Sequence, residues 1–172
     1  MFWERITYFL ERVVPVANEY KVRIACHPHD PGVPPEGYQG VTRVLGTVDG
    51  LNRFVSIHES PYHGLNFCQG TVSEMLEDPG KEIFHVIRYF GHAAKSLTST
   101  SATFAAIATT SGKSTPTRAT SIVKAIRVYQ EVGYPYLLMP DHVPQAPGDS
   151  NGLQSFAFCY GYIRGLLQPL AA

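Results

Sequence analysis

The sequence predicts an α/β fold in which parallel strands are covered by helices. Two observations carry that expectation. Helix-period and strand-like segments alternate along the chain, and residues able to do chemistry stand just after the strand-like runs: His27, Cys68 and Asp141. Such alternation places a crossover helix between successive strands, which makes them parallel. In barrels and doubly wound sheets alike, the carboxyl ends of the strands carry the site.

Each element follows from its residues. Trp3, Ile6, Phe9, Leu10, Val13 and Val14 recur at helical spacing, so residues 3–19 read as an amphipathic helix. Residues 21–26 (KVRIAC) form a short β-branched run and read as a strand. Residues 30–40 are rich in Pro and Gly and read as a loop. Residues 49–57 read as a helix with Asp49 as its N-cap. Residues 65–68 (LNFC) read as a second strand, closed by Gly70, and 73–76 as a helical turn. Ile83, Val86, Ile87 and Phe90 define one face of a helix over 81–93. A helix over 122–132 ends at Gly133, a strand over 134–139 stops at Pro140, and a last helix spans 155–167. One further strand has room near 95–107.

The 172 residues carry 14 basic and 14 acidic side chains and no net charge. A length of this order is the usual prior for one domain. Neutral charge argues against nucleic acid or an anionic membrane surface as partner. No apolar stretch approaches the ~18 residues of a membrane span, and charges interrupt the start where a signal peptide needs an apolar run. Three cysteines without framework spacing suit a reducing compartment, so a cytoplasmic location is expected.

Charge is unevenly distributed. Eleven of the 14 acids lie in residues 4–82, and none lies between Ile83 and Gln130. Within that gap, residues 96–121 hold 14 Ser or Thr out of 26. Ser111–Thr115 (SGKST) imitates the end of a phosphate-binding loop, but Ile107 stands where the first glycine is needed to wrap a phosphate. The six basic residues from Arg88 to Arg127 suggest a nucleic-acid patch, yet the Ser/Thr-rich part offers one aromatic, Phe104, for stacking.

His27, Cys68 and Asp141 supply imidazole, thiolate and carboxylate from three strand ends. Such a mixed set suits a divalent transition metal, because borderline-soft N and S ligands disfavour magnesium and calcium. Taken singly, a cysteine is usually a small buried hydrophobe and a His or Asp a satisfied polar residue, and spacing alone leaves both readings open. Residues 26–30 (CHPHD) form a ligand cluster or an exposed Pro-containing turn. Pro140-Asp141-His142 offers an acid–base pair or a simple turn. Cys159, beside Phe158 and Tyr160, reads as core.

At HPHDPGVPP (27–35), GLNFCQGTVSEM (64–75), MPDHVP (139–144) and GYIRGLL (161–167) the chain resembles the mannonate dehydratase family. The resemblance covers about residues 3–93 and 123–172. It implies a partial (β/α)8 TIM barrel, xylose isomerase-like, comprising about the last four βα units. Residues 1–172 would then be the C-terminal half of a single barrel domain, with 95–122 atypical. It further implies dehydration of D-mannonate to 2-keto-3-deoxy-D-gluconate in hexuronate breakdown, with Mn²⁺ or Fe²⁺ as cofactor. By motif, His27, Cys68 and Asp141 match metal ligands, and His142 matches a proposed acid–base residue. Asp30 and Arg43 are expected substrate contacts, Arg43 as partner of a carboxylate; a surface salt bridge is its ordinary alternative. Leu153 stands near a place where many family members carry a Tyr.

Two departures shape the functional expectation. A whole barrel needs ~250 residues, so this chain is expected to be inactive alone and, with open sheet edges, to associate as a homo-oligomer. The family's remaining metal His belongs to a motif VHFRN, whose place falls in the Ser/Thr-rich segment. No His lies between His92 and His142. A compensated frameshift over about 95–122 accounts for this. Reading one base earlier, Ser99–Thr103 allow VHFRN, and Pro116–Ile122 allow PDEGDID, close to the family's acidic PDEGDMD. A true Ser/Thr-rich insertion is the alternative. Another metal-dependent isomerase or epimerase on the same barrel, or a nonfunctional relic, are the alternative functions.

Overall fold

The structure, a computed structural model, describes residues 1–31, 37–92, 101–104, 121–140, 143 and 146–168, with backbone alone at His92 and 101–104. In chain order the elements are α1 (Phe2–Tyr20), β1 (Ile24–Cys26), α2 (Val48–Ser56), β2 (His63–Leu65), α3 (Gln69–Glu74), α4 (Pro79–His92), β3 (Ser101–Phe104), α5 (Ile122–Glu131), β4 (Leu137–Pro140) and α6 (Leu153–Leu167). The strands form two parallel pairs, β1 with β2 and β3 with β4. The expected extra strand near 95–107 is β3.

Helix α1 buries Leu10, Val14 and Ala17, with Trp3 and Ile6 packed against the same core. Phe9, expected on that face, is 57% exposed. At 3.6 residues per turn it sits about a quarter turn from Leu10. Strand β1 pairs from Ile24↔His63 to Cys26↔Leu65. Strand β2 therefore begins earlier than the apolar run suggests and ends before Cys68. The chain leaves β2 with Asn66 N–H donating to Cys26 O at 2.9 Å, then turns directly into α3.

The N-cap of α2 is Thr47, not Asp49: Thr47 Oγ1 accepts from Gly50 N–H at 3.0 Å. Asp49 lies in the first turn instead, where its charge favours the positive end of the helix. Ile83, Val86, Ile87 and Phe90 of α4 are buried as their spacing predicts, and meet Ile122, Ala125, Ile126 and Tyr129 of α5 in one core. Outside that seam, Arg88 forks onto Glu131, with both N–O distances 2.8 Å. Such an exposed pair contributes at most about 1 kcal/mol, so the apolar seam holds α4 to α5. Gly133, at φ +66, ends α5 in the left-handed conformation that glycine adopts without strain.

Helix α6 departs from expectation. Its sequence is apolar nearly all round, yet Ile163 is its fully buried side chain among the described residues, and Cys159 is half-buried rather than core. A helix apolar on several faces is normally covered on several faces. No described helix is long and apolar enough to cross a membrane.

Candidate metal centre

The first two strands end beside each other, and each hands its next residues to one place. His27 follows β1 directly. Its Nδ1 lies 2.6 Å from Pro28 O. A carbonyl only accepts, so Nδ1 carries the proton and the ring's orientation is fixed by the backbone. Cys68 is the N-cap of α3, 1% exposed. Its sulfur accepts a hydrogen bond from Thr71 Oγ1 at 3.2 Å and another from the His27 ring. Burial pushes the Cys68 thiol up, but the bonds from His27 and Thr71, with the imidazole's charge, outweigh it and hold the thiol below its ordinary range.

This pairing has a plain chemical meaning. A thiol whose ionisation an adjacent imidazole and hydroxyl favour is, together with that imidazole, a pair of donors able to take a cation in place of a proton. An N and S donor pair suits a divalent transition ion rather than magnesium or calcium. Cys26 shows the contrast. It packs against the core, its thiol donates to His27 O at 3.3 Å, and burial pushes it up with nothing to oppose. It is a structural cysteine.

His27 and Cys68 are thus brought together as the sequence implied. Asp141 and His142 lie outside the described residues, as do the SGKST segment and most of the Ser/Thr-rich stretch. Among the described residues no group of three or more His, Cys, Asp or Glu is gathered for a metal. Arg43 is half-buried and donates from Nη1 to His29 Nδ1 at 3.2 Å. Its partner is therefore an imidazole of the CHPHD segment, not the carboxylate of a surface salt bridge. The loop that carries Arg43 is tied to this segment again by His29 N–H to Leu45 O at 3.1 Å. Asp30, three residues beyond His27, is exposed.

Two participants escaped the sequence reading. Thr71 supports the Cys68 sulfur from the first turn of α3, and its position three residues after Cys68 was the available signal. Gln69 is buried with its Oε1 lacking a hydrogen-bond partner among the described residues.

Residues 1–171 match a protein-family model described as D-mannonate dehydratase (UxuA). A mannonate dehydratase 2 from Halalkalibacterium halodurans is 26% identical, over 99% of this chain and 50% of its own length. A mannonate dehydratase from Thermotoga petrophila is 38% identical over 52% of this chain and 23% of its own. Among solved structures, mannonate dehydratase from Streptococcus suis serotype 2 superposes with a TM-score of 0.69 at 23% identity, covering 95% of this chain and 48% of that one. The fold is accordingly a partial (β/α)8 barrel, and the chain spans about half the length, or less, of the relatives it matches.

Proposed function

The chain belongs to the D-mannonate dehydratase family, and from that premise we propose that it is the C-terminal half-barrel of a metal-dependent sugar-acid dehydratase. The reaction is loss of water from D-mannonate to give 2-keto-3-deoxy-D-gluconate, a step of hexuronate and glucuronate catabolism in the cytoplasm. The observation that supports this reading is the contact of half-buried His27 with buried Cys68 at adjacent strand ends.

His27, Cys68 and Asp141 would hold Mn²⁺ or Fe²⁺. Such an ion supplies Lewis acidity toward the substrate's carboxylate and hydroxyl oxygens. Thr71 donates to the Cys68 sulfur and so favours its anionic form, and Pro28 O fixes the ring of His27. Arg43, held by His29, takes the substrate carboxylate, and Asp30 faces a hydroxyl. His142 takes the C2 proton and returns it to the departing C3 hydroxyl, which leaves as water. The enol so formed ketonises to the product.

The isolated chain is an incomplete enzyme on this reading. The position of the family's other metal His falls in residues 95–122, which we assign to a compensated frameshift. Sequencing the DNA across codons 90–125 checks that assignment; codons incompatible with the shifted frame would sink it. The functional reading is tested by titrating Mn²⁺ or Fe²⁺ anaerobically into the purified chain and into His27→Ala and Cys68→Ala, then assaying keto-acid formation from D-mannonate. Binding that weakens at least tenfold in both variants is expected, without turnover by the chain alone. Failure of the chain to bind either ion would refute the metal site, and metal-dependent turnover would refute the incompleteness. An open half-barrel is also expected to associate with itself.

A further inference from the structure

A buried polar side chain is hydrogen-bonded as a rule, because an unpaired one keeps the cost of leaving water. Among the described residues the buried polar or charged side chains are Ser60, His63, Gln69, Thr71 and Asp149. Ser60 Oγ donates to Asn18 Oδ1 at 2.5 Å, and Thr71 Oγ1 to the Cys68 sulfur at 3.2 Å. Asp149 accepts from Gln154 N–H at 3.1 Å and from Ser155 N–H at 2.8 Å. That leaves His63 Nε2 and Gln69 Oε1, each buried without a hydrogen-bond partner among the described residues.

These two atoms belong to opposite ends of β2. His63 opens the strand. Its other ring nitrogen is tied to His58 O at 3.0 Å, and its ring meets Phe54 edge-on with centroids 4.9 Å apart. It is a neutral ring packed into the core, at the end of the strand away from Cys68.

Gln69 follows the other end. Asn66 N–H is tied to Cys26 O at 2.9 Å and Val72 N–H to Cys68 O at 3.0 Å, so the main chain around Gln69 is held where β1 and β2 finish. Carboxyl ends of strands are where an α/β barrel places its site. The main-chain carbonyl of Gln69 is already used, since Ser73 Oγ donates to it at 2.7 Å. Its side chain, on a residue 5% exposed and one peptide bond from Cys68, is the polar group left over. An amide oxygen only accepts, so it calls for an N–H or O–H from outside the described residues.

We propose that Gln69 is a further specificity-determining residue of the His27–Cys68 centre, its Oε1 accepting a hydrogen bond from a hydroxyl of the bound sugar acid. The inference rests on the dehydratase reading above. A site built to pair a substrate hydroxyl discriminates strongly against analogues that lack it. The free chain then carries an unpaired acceptor that the bound chain does not, so stability and binding are opposed at this residue.

That opposition is the test. Gln69→Met keeps the length of the side chain and removes the acceptor; Gln69→Glu keeps an acceptor oxygen. Urea unfolding of the metal-free chain should show no lower midpoint for Gln69→Met than for wild type. Calorimetric titration of D-mannonate into the Mn²⁺-loaded chain should show affinity at least tenfold weaker in Gln69→Met, with Gln69→Glu binding more tightly than Gln69→Met. Mn²⁺ affinity itself, and binding of acetate, which offers a carboxylate without hydroxyls, should not move. A lower midpoint for Gln69→Met would overturn the proposal by showing that the acceptor is already paired within the chain. So would unchanged D-mannonate affinity, an equal loss with acetate, or loss of Mn²⁺ affinity. A wild-type chain that binds Mn²⁺ through His27 and Cys68 but takes no D-mannonate refutes the Gln69 assignment and keeps the metal centre. A chain that binds no Mn²⁺ refutes the centre and the assignment with it.

Discussion

Gly50 provides a quantitative test of how the Arg43 loop is held. It is the third residue of α2, and a Cβ built there would lie 1.9 Å from Val44 O and 3.1 Å from Thr47 Oγ1. The nearer atom is backbone and cannot rotate away. Val44 also sits between two tethers: Gly46 N–H to Arg43 O at 2.9 Å and His29 N–H to Leu45 O at 3.1 Å. Relieving the clash displaces Val44 O by more than 1 Å, and with it these bonds. Overpacking costs about 1–3 kcal/mol, and one net hydrogen bond adds about 1 kcal/mol. Alanine returns about 0.5–1 kcal/mol through helix propensity. Gly50→Ala should therefore destabilise by about 1–3 kcal/mol. Gly161→Ala in α6 is the control, because nothing lies within 4 Å of its Cβ position. It should stabilise by about 0.5–1 kcal/mol. Urea unfolding at one fixed protein concentration separates the two, since the midpoints should move in opposite directions. Equal or same-signed shifts would show that the loop yields without cost and that Val44 does not fix Arg43.

Other expectations are smaller in scope. Thr47→Ala removes the α2 cap bond at 3.0 Å and should cost about 1 kcal/mol in the same unfolding assay. Thr71→Val removes a donor to the Cys68 sulfur; thiolate absorbance near ~240 nm, assigned to Cys68 by difference from Cys68→Ala, should then appear only at higher pH. His63 is 1% exposed, its Nδ1–H donates to His58 O at 3.0 Å, and its Nε2 lacks a hydrogen-bond partner among the described residues. Burial holds its pKa below the ordinary value, despite the bond to His58. On acidification the unfolded chain takes up that proton first, so stability present above pH ~6.5 is lost as pH falls through that value. The urea midpoint should fall accordingly, and His63→Leu should flatten the decline; an unchanged slope would refute the assignment.

What the sequence made legible follows physical rules that differ by element. The long helices were readable because burial writes a 3.6-residue period: Ile83, Val86, Ile87 and Phe90 are buried as spaced. Strand limits were not, because short buried strands have no period of their own. Thus β2 was read at 65–68, whereas pairing with β1 places it at His63–Leu65. Cys68 was correctly placed after β2 in the chain but wrongly inside the strand; it is a helix cap, which is why Thr71, one helical turn on, can reach its sulfur. The α2 cap was misread because Asp49 and Thr47 are both competent N-caps, and only the backbone path from Gly46 decides between them.

The surface of α6 was the least legible feature, and the reason is instructive. Hydrophobic pattern reports what a residue is selected to touch, not whether the chain itself supplies the neighbour. Cys159 reads as core from its apolar neighbours, and in the structure it is half-buried while the adjacent Phe158 is 70% exposed. An apolar helix with one buried residue is therefore consistent with a correctly read sequence and an incomplete barrel. Phe158 is 70% exposed, so Phe158→Ala should move the urea midpoint by no more than about 0.5 kcal/mol, as expected of a surface residue. A loss of about 3 kcal/mol or more there, the cost of a buried Phe, would show that α6 is already covered within one copy.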